Sequence, residues 1–94
     1  MDLEFEWDDA KAAENLRKHD VSFDEAGTAF GDPLSSVFAD PEHSVGEERL
    51  VLAGRSDRGR VLLVMFTERP PRVRLISARP ATRPERQAYE AGDL

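Results

Sequence analysis

An α+β domain, with two N-terminal helices, a four-stranded antiparallel meander and a closing C-terminal helix, is what these 94 residues predict. Three observations carry that reading. Arg60–Thr67 (RVLLVMFT) is an apolar, β-branched run with the length of a strand buried on both faces, which makes it the central strand. Two capping-box patterns, Ser22-Phe23-Asp24-Glu25 and Thr82-Arg83-Pro84-Glu85, announce one helix before that strand and one after it. Turn residues on either side, Ser56-Asp57-Arg58-Gly59 and Pro70-Pro71, connect its neighbours to it as hairpins.

The elements follow in order. Leu3, Phe5 and Trp7 alternate with Glu4 and Glu6, giving a short N-terminal strand or an extended entry segment. Asp8 reads as the N-cap of a first helix running to about His19, with Ala12, Ala13 and Leu16 on its inner stripe and Lys11, Glu14, Asn15 and Lys18 outside. The second helix starts at the Ser22 cap, with Val21 stapled on Ala26, and runs to about Phe30 before Gly31-Asp32-Pro33. Strands are expected at Leu34–Ala39, Arg49–Gly54, Arg60–Thr67 and Val73–Ala78, with a polar loop over Asp40–Gly46. Proline has no N–H to give a ladder, so Pro70 and Pro71 fall in the last hairpin's connection, read as a longer loop. Period-2 alternation then puts Val73, Leu75 and Ser77 on one face and Arg72, Arg74, Ile76 and Ala78 on the other. The last helix spans about 83–91, with proline in its first turn, and stops at Gly92. Nothing divides the chain, so 1–94 is read as one domain.

Charge is distributed unevenly. Residues 1–48 hold 14 acids against 3 bases, and residues 49–94 hold 10 arginines against 5 acids, within a net charge of −6. Guanidinium is the side chain whose planar fork suits phosphate. Two compatible explanations exist: a phosphate-binding rim, or acidic elements pairing internally with an arginine-bearing sheet. The absence of cysteine rules out thiolate chemistry, and neither His19 nor His43 has a partner at metal-ligand spacing, so no metal or cofactor is expected. Phosphate-loop, dinucleotide and serine-hydrolase patterns are missing as well. With no membrane-length apolar run and an acidic N-terminal stretch, the expected location is the cytoplasm. Arginine, histidine, tyrosine and carboxylate remain, a set that suits metal-independent RNA cleavage: a base for the 2′-hydroxyl, cations for the phosphorane, an acid for the leaving oxygen.

Four stretches, FEWDDAKAAENLRKHDVSFDEA (Phe5–Ala26), DPLSSVFADPEHSVGEER (Asp32–Arg49), Gly59-Arg60 and VRLISARPATRPERQAY (Val73–Tyr89), resemble BrnT, the ribonuclease toxin family of the BrnT/BrnA type II toxin–antitoxin system. The likeness covers almost the whole chain; the Trp-Asp…Lys…Asn…Lys-His and Ile-Ser-Ala-Arg elements are its most specific parts. It implies a RelE-like fold and an endoribonuclease that halts translation. It also implies neutralisation by a BrnA-like antitoxin, through which operator DNA is reached indirectly, and a toxin dimer bridged by two antitoxins in a heterotetramer. The chain departs from the family pattern at Pro80 (usually basic), Phe66 (commonly histidine) and Asp20 (usually glycine).

The residues expected to act are these. Arg79 is assigned to phosphate binding or transition-state charge, with an ion pair to Glu85 as the competing reading, and Arg74 and Arg69 extend its rim. His19 is the expected proton-transfer group, since imidazole ordinarily titrates near neutrality. Lys11 and Lys18, on the same helix, are expected to contact RNA, and Tyr89 to stack on a base or position a hydroxyl, with a place in the core as its competing reading. A non-catalytic reading stands beside this one: an interaction module serving as antitoxin partner and co-repressor.

Overall fold

The computed structural model describes residues 3–94, so Met1 and Asp2 of the acidic N-terminal stretch lie outside the described residues. Its elements are β1 (Glu4–Glu6), α1 (Asp9–His19), α2 (Phe23–Thr28) with a 3₁₀ turn at Ala29–Gly31, β2 (Ser36–Ala39), a 3₁₀ turn at Pro41–His43, β3 (Leu50–Arg55), β4 (Val61–Arg69), β5 (Arg72–Pro80) and α3 (Arg83–Ala91). The sheet has five strands in the order β1-β5-β4-β3-β2. This corrects the four-stranded antiparallel meander, because β1 joins as a fifth strand, parallel to β5. Alternation in Leu3–Trp7 identifies an extended segment but cannot name its partner, and that partner lies almost seventy residues away at Arg72–Arg74.

β4 is the central strand, as its composition requires. Val61, Leu62, Leu63 and Val64 are all buried, alternately contributing to two apolar clusters. On one face α1 and α2 cover Leu52, Leu62, Val64, Phe66, Leu75 and Ala78, with Val21, Phe23 and Ala26 packed on them. On the other face α3 covers only one end, where Tyr89 seals Val51, Ala53, Val61 and Leu63. The rest of that second face is open.

Two departures in the β4–β5 hairpin decide what lies on the open face. Arg69 pairs directly with Arg72, so Pro70 and Pro71 form a tight two-residue connection, not the longer loop expected. Further along, Phe66 pairs with Leu75 but Met65 pairs with Ser77, leaving Ile76 as an extra residue in a β-bulge. The bulge reverses the alternation after it. Leu75 and Ala78 therefore share the helix-covered face, and Arg79 joins Arg72 and Arg74 on the open one.

α1 also differs from its sequence reading. Leu16 is 49% exposed, while Asn15, placed outside by periodicity, is 5% exposed. β1 pairs with β5 only as far as Arg74, so at Ala78 the side of β5 away from β4 has no strand. Asn15 takes that place: its Nδ2 donates to the Ala78 and Val21 carbonyls, both at 2.9 Å, and its Oδ1 accepts from the Ala78 N–H at 3.0 Å. A carboxamide is the one side chain with both a donor and an acceptor in the geometry of a peptide. Asp20 then ends the helix in the left-handed conformation, φ 56°.

The caps behave as the sequence predicts, with one exception. Thr82 and Glu85 form a complete capping box at α3, and Gly92 stops it at φ 77°. Ser22 caps α2, accepting from the Glu25 N–H at 3.0 Å. The Glu25 carboxylate, however, turns inward to Arg60 at 2.7 Å and to the Ser56 hydroxyl at 2.8 Å. Its hydrogen bond from Arg60 holds its pKa below the ordinary range, against the opposing effect of burial.

Candidate functional site

The open face is built from residues of one parity on each strand. β5 supplies Arg72, Arg74, Ser77 and Arg79; β4 supplies Met65 and Arg69, with Thr67 on the same side but buried and donating to the Glu48 carbonyl; β3 and β2 supply Val51 and Phe38, which lie opposite each other. The three arginines picked out by sequence, Arg69, Arg74 and Arg79, are thus gathered on one face. A depression of about 360 Å³ occupies its middle, lined by Phe38, Asp40, Val51, Leu63, Met65 and Arg79 among others.

Each of those three arginines is matched by a carboxylate of the chain itself. Arg69 pairs with Glu47 at 3.0 Å and Arg74 with Glu6 at 2.7 Å. Arg79 makes a bidentate pair with Glu85, at 2.7 and 2.9 Å. Arg72 reaches Glu4 at 3.6 Å. The competing reading of Arg79, an ion pair with Glu85, is what the structure contains. So is the internal neutralisation of the arginine half by the acidic half. A face with its own counter-charges is not by itself an anion-binding surface.

The pairing has a measurable pH signature. Two hydrogen bonds from Arg79 bring Glu85 to a pKa of about 2 from an ordinary 4.5, outweighing burial, which acts in the other direction. A carboxyl whose pKa falls on folding contributes stability that is complete above pH 4.5 and is lost as pH drops toward 2. Glu85→Gln keeps the capping-box geometry but not the charge. Acid unfolding followed by circular dichroism is therefore expected to fall less steeply in the variant than in wild type over that window, and to run parallel to it above about pH 5.

The other expected site residues lie elsewhere. Lys11, Lys18 and His19 surround a groove between α1 and the β5 bulge, with Ile76 and Ser77 at its floor. They approach the segment Arg74–Arg79 from its outer edge, whereas the arginines occupy the open face. Lys18 lies 3.8 Å from Glu14. His19 is exposed in the last turn of α1 and has no hydrogen-bonded side-chain partner among the described residues.

Tyr89 takes its competing reading, a place in the core, and not the role in RNA contact. It is 8% exposed and packed among Val51, Ala53, Val61 and Leu63, and its hydroxyl donates to Asp32. Burial and the Asp32 carboxylate both raise its pKa above 10. With Arg55 over the ring at 5.8 Å, no face is left for a base. The exposed aromatic on the open face is Phe38, 40% accessible, which the sequence reading left inside a strand without a role. Arg49, Arg83 and Arg86 were also passed over, and they pair with no carboxylate among the described residues. Phe66 is 4% exposed and lies against Phe30 on the helix-covered face, away from the arginines.

This is a small mixed α+β domain with a helix-covered sheet face and an arginine-bearing open face. Residues 7–85 match the family model described as "Ribonuclease toxin, BrnT, of type II toxin-antitoxin system", and the chain belongs to that family. Among solved structures it is similar to the 1.1 Å crystal structure of the Brucella abortus ribonuclease toxin BrnT. The two share 24% identity with a TM-score of 0.69, covering 87% of this chain and 100% of the other, which is a likeness of fold. No curated protein matches the chain. The family makes it a ribonuclease toxin with an antitoxin as its partner. No helix among the described residues is long and apolar enough to cross a membrane.

Proposed function

We propose that the chain is an endoribonuclease that cleaves RNA on the open sheet face without a metal ion, inhibits translation, and is silenced by an antitoxin that covers this face. The observation that carries the location is the β5 bulge, which puts Arg79 on the same side as Arg74 and Arg69. The activity itself rests on family membership, since each of the three has its own carboxylate. RNA phosphate replaces Glu85 and Glu6 on the guanidiniums, and Phe38 offers a stacking surface for a base. Arg83 and Arg86, in the first turns of α3 and without a carboxylate partner among the described residues, first attract the strand. Lys11, Lys18 and His19 hold RNA along the α1 groove. Phe66 lies in the core, so a histidine there would not reach this face.

A second reading is favoured by the closed ion pairs: a non-catalytic partner of the antitoxin that serves in the complex as co-repressor. Purified chain released from its antitoxin, incubated with RNA in EDTA, separates the two. Cleavage that persists with chelator and weakens as salt rises supports the ribonuclease, because phosphate contacts release counterions. No cleavage with or without magnesium, and no growth arrest on induction, supports the partner; cleavage restored only by magnesium would refute metal independence.

A further inference from the structure

One rim of the open-face depression carries a carboxylate that the arginine rim does not include, and a histidine is paired to it from the following turn. Asp40, directly after β2, lines the depression together with Phe38, Met65 and Arg79. Its Oδ2 lies 2.9 Å from Nδ1 of His43; the Asp40 side chain is 19% exposed and that of His43 is 62%. The turn between them is tied down. The His43 N–H donates to the Asp40 carbonyl at 3.3 Å, the Ser44 hydroxyl donates to the same carbonyl at 2.7 Å, and the Arg49 N–H donates to Ser44 Oγ at 2.9 Å, anchoring the turn at the start of β3. A carboxylate that accepts Nδ1–H fixes the tautomer and leaves the lone pair on Nε2. That nitrogen makes no hydrogen bond among the described residues, and the His43 side chain is 62% exposed.

We propose that His43, oriented by Asp40, is the proton-transfer group of this ribonuclease, acting on a ribose whose base lies against Phe38 and whose phosphate lies on Arg79. The inference rests on the ribonuclease reading given above and replaces His19 in that role. Nε2 takes the proton of the 2′-hydroxyl, O2′ attacks phosphorus, and the P–O5′ bond breaks. The departing 5′ oxygen takes a proton from water, and the hydroxide so formed is neutralised by the proton on His43. The products, a 2′,3′-cyclic phosphate and a 5′-hydroxyl, together have the atoms of the starting RNA, so no co-reactant is consumed. Asp40 stabilises the imidazolium formed on the way. The charged groups on the elements beside His43 are Asp40 and Glu42 on its own turn, Glu47 and Glu48, which line a neighbouring depression with Pro41 and Ser44, and Arg79 with Glu85, which line the same depression as Asp40. His19 has no such orienting carboxylate among the described residues.

The test is cleavage of a short RNA in EDTA between pH 5 and 9 by the full chain, wild type against His43→Ala and Asp40→Asn, with folding checked by thermal melts. His43→Ala is expected to lose about 10²–10⁴-fold in kcat with KM little changed, to lose one limb of the wild-type pH–rate profile, and to regain turnover with added imidazole. Asp40→Asn should lower kcat in the same direction by a smaller factor, which a purely structural turn would not do. Wild-type kcat and pH profile in folded His43→Ala overturns the inference and leaves the ribonuclease reading standing. A wild-type chain that cleaves nothing overturns both.

Discussion

Asn15→Ala is expected to destabilise the fold by about 3–5 kcal/mol, because it removes three hydrogen bonds and leaves the Ala78 N–H and C=O and the Val21 C=O buried without partners, at roughly 1–3 kcal/mol for each unsatisfied group. Two companion variants sharpen the attribution. Asn15→Leu restores the volume but not the polarity, and should cost a similar amount. Asn15→Asp keeps the acceptor for Ala78 N–H but turns an oxygen toward two carbonyls, and should be no better than alanine. Urea unfolding at constant m value reads all three. If Asn15→Leu were as stable as wild type, this sheet edge would not depend on a side chain standing in for a strand.

Arg79→Ala is expected to lower kcat/KM for RNA cleavage by about 10²–10³-fold, the usual consequence of removing one charge-stabilising donor from a phosphoryl transition state. Stability should change far less. The Arg79–Glu85 pair is a third exposed on the arginine side, where ion pairs are typically worth no more than about 1 kcal/mol. Arg79→Lys should recover only part of the activity, because a point cation cannot reproduce the two parallel bonds now made to Glu85. Releasing the guanidinium should act in the opposite sense. Glu85→Gln frees Arg79 while the helix cap remains, and is expected to tighten RNA binding at low salt. An Arg79→Ala chain that is folded, antitoxin-bound on purification and as active as wild type would assign the chemistry elsewhere.

How much of this was legible in the residues depends on the distance over which each feature is decided. Features set within one segment were readable. The β4 run required burial on both faces, and Thr82 with Glu85 required a cap, and both are present. Features set between segments were not. Nothing in Leu3–Trp7 says that its partner is β5, and nothing in Leu75–Arg79 shows that Ile76 will be squeezed out of register, although that shift decides which face Arg79 occupies. Asn15 gave a signal that periodicity overrode: a residue that disfavours helix interiors, set mid-helix, has a reason to be there. The charge asymmetry of the two halves was visible, but whether it meant a bare cationic rim or closed ion pairs depended on where Glu6, Glu47 and Glu85 fall in space. They fall on the arginines. Phe38 and the Asp40–His43 turn were hidden for a similar reason, since a short edge strand and a polar loop become a site wall only when β3 and β4 bring Met65 and Arg79 beside them.

The central claim is that RNA phosphate settles on the sheet face opposite α1 and α2 by displacing the chain's own carboxylates. Its most direct test is to follow arginine Nε–Hε resonances by NMR while titrating an RNA made uncleavable by 2′-deoxy substitution at the scissile positions. The account predicts that Arg79 and Arg74 shift together at low salt, and that Arg79 shifts at lower RNA concentration in Glu85→Gln. Saturable RNA binding that leaves both resonances in place, with changes confined to the outer surface of α1 and α2, would contradict it.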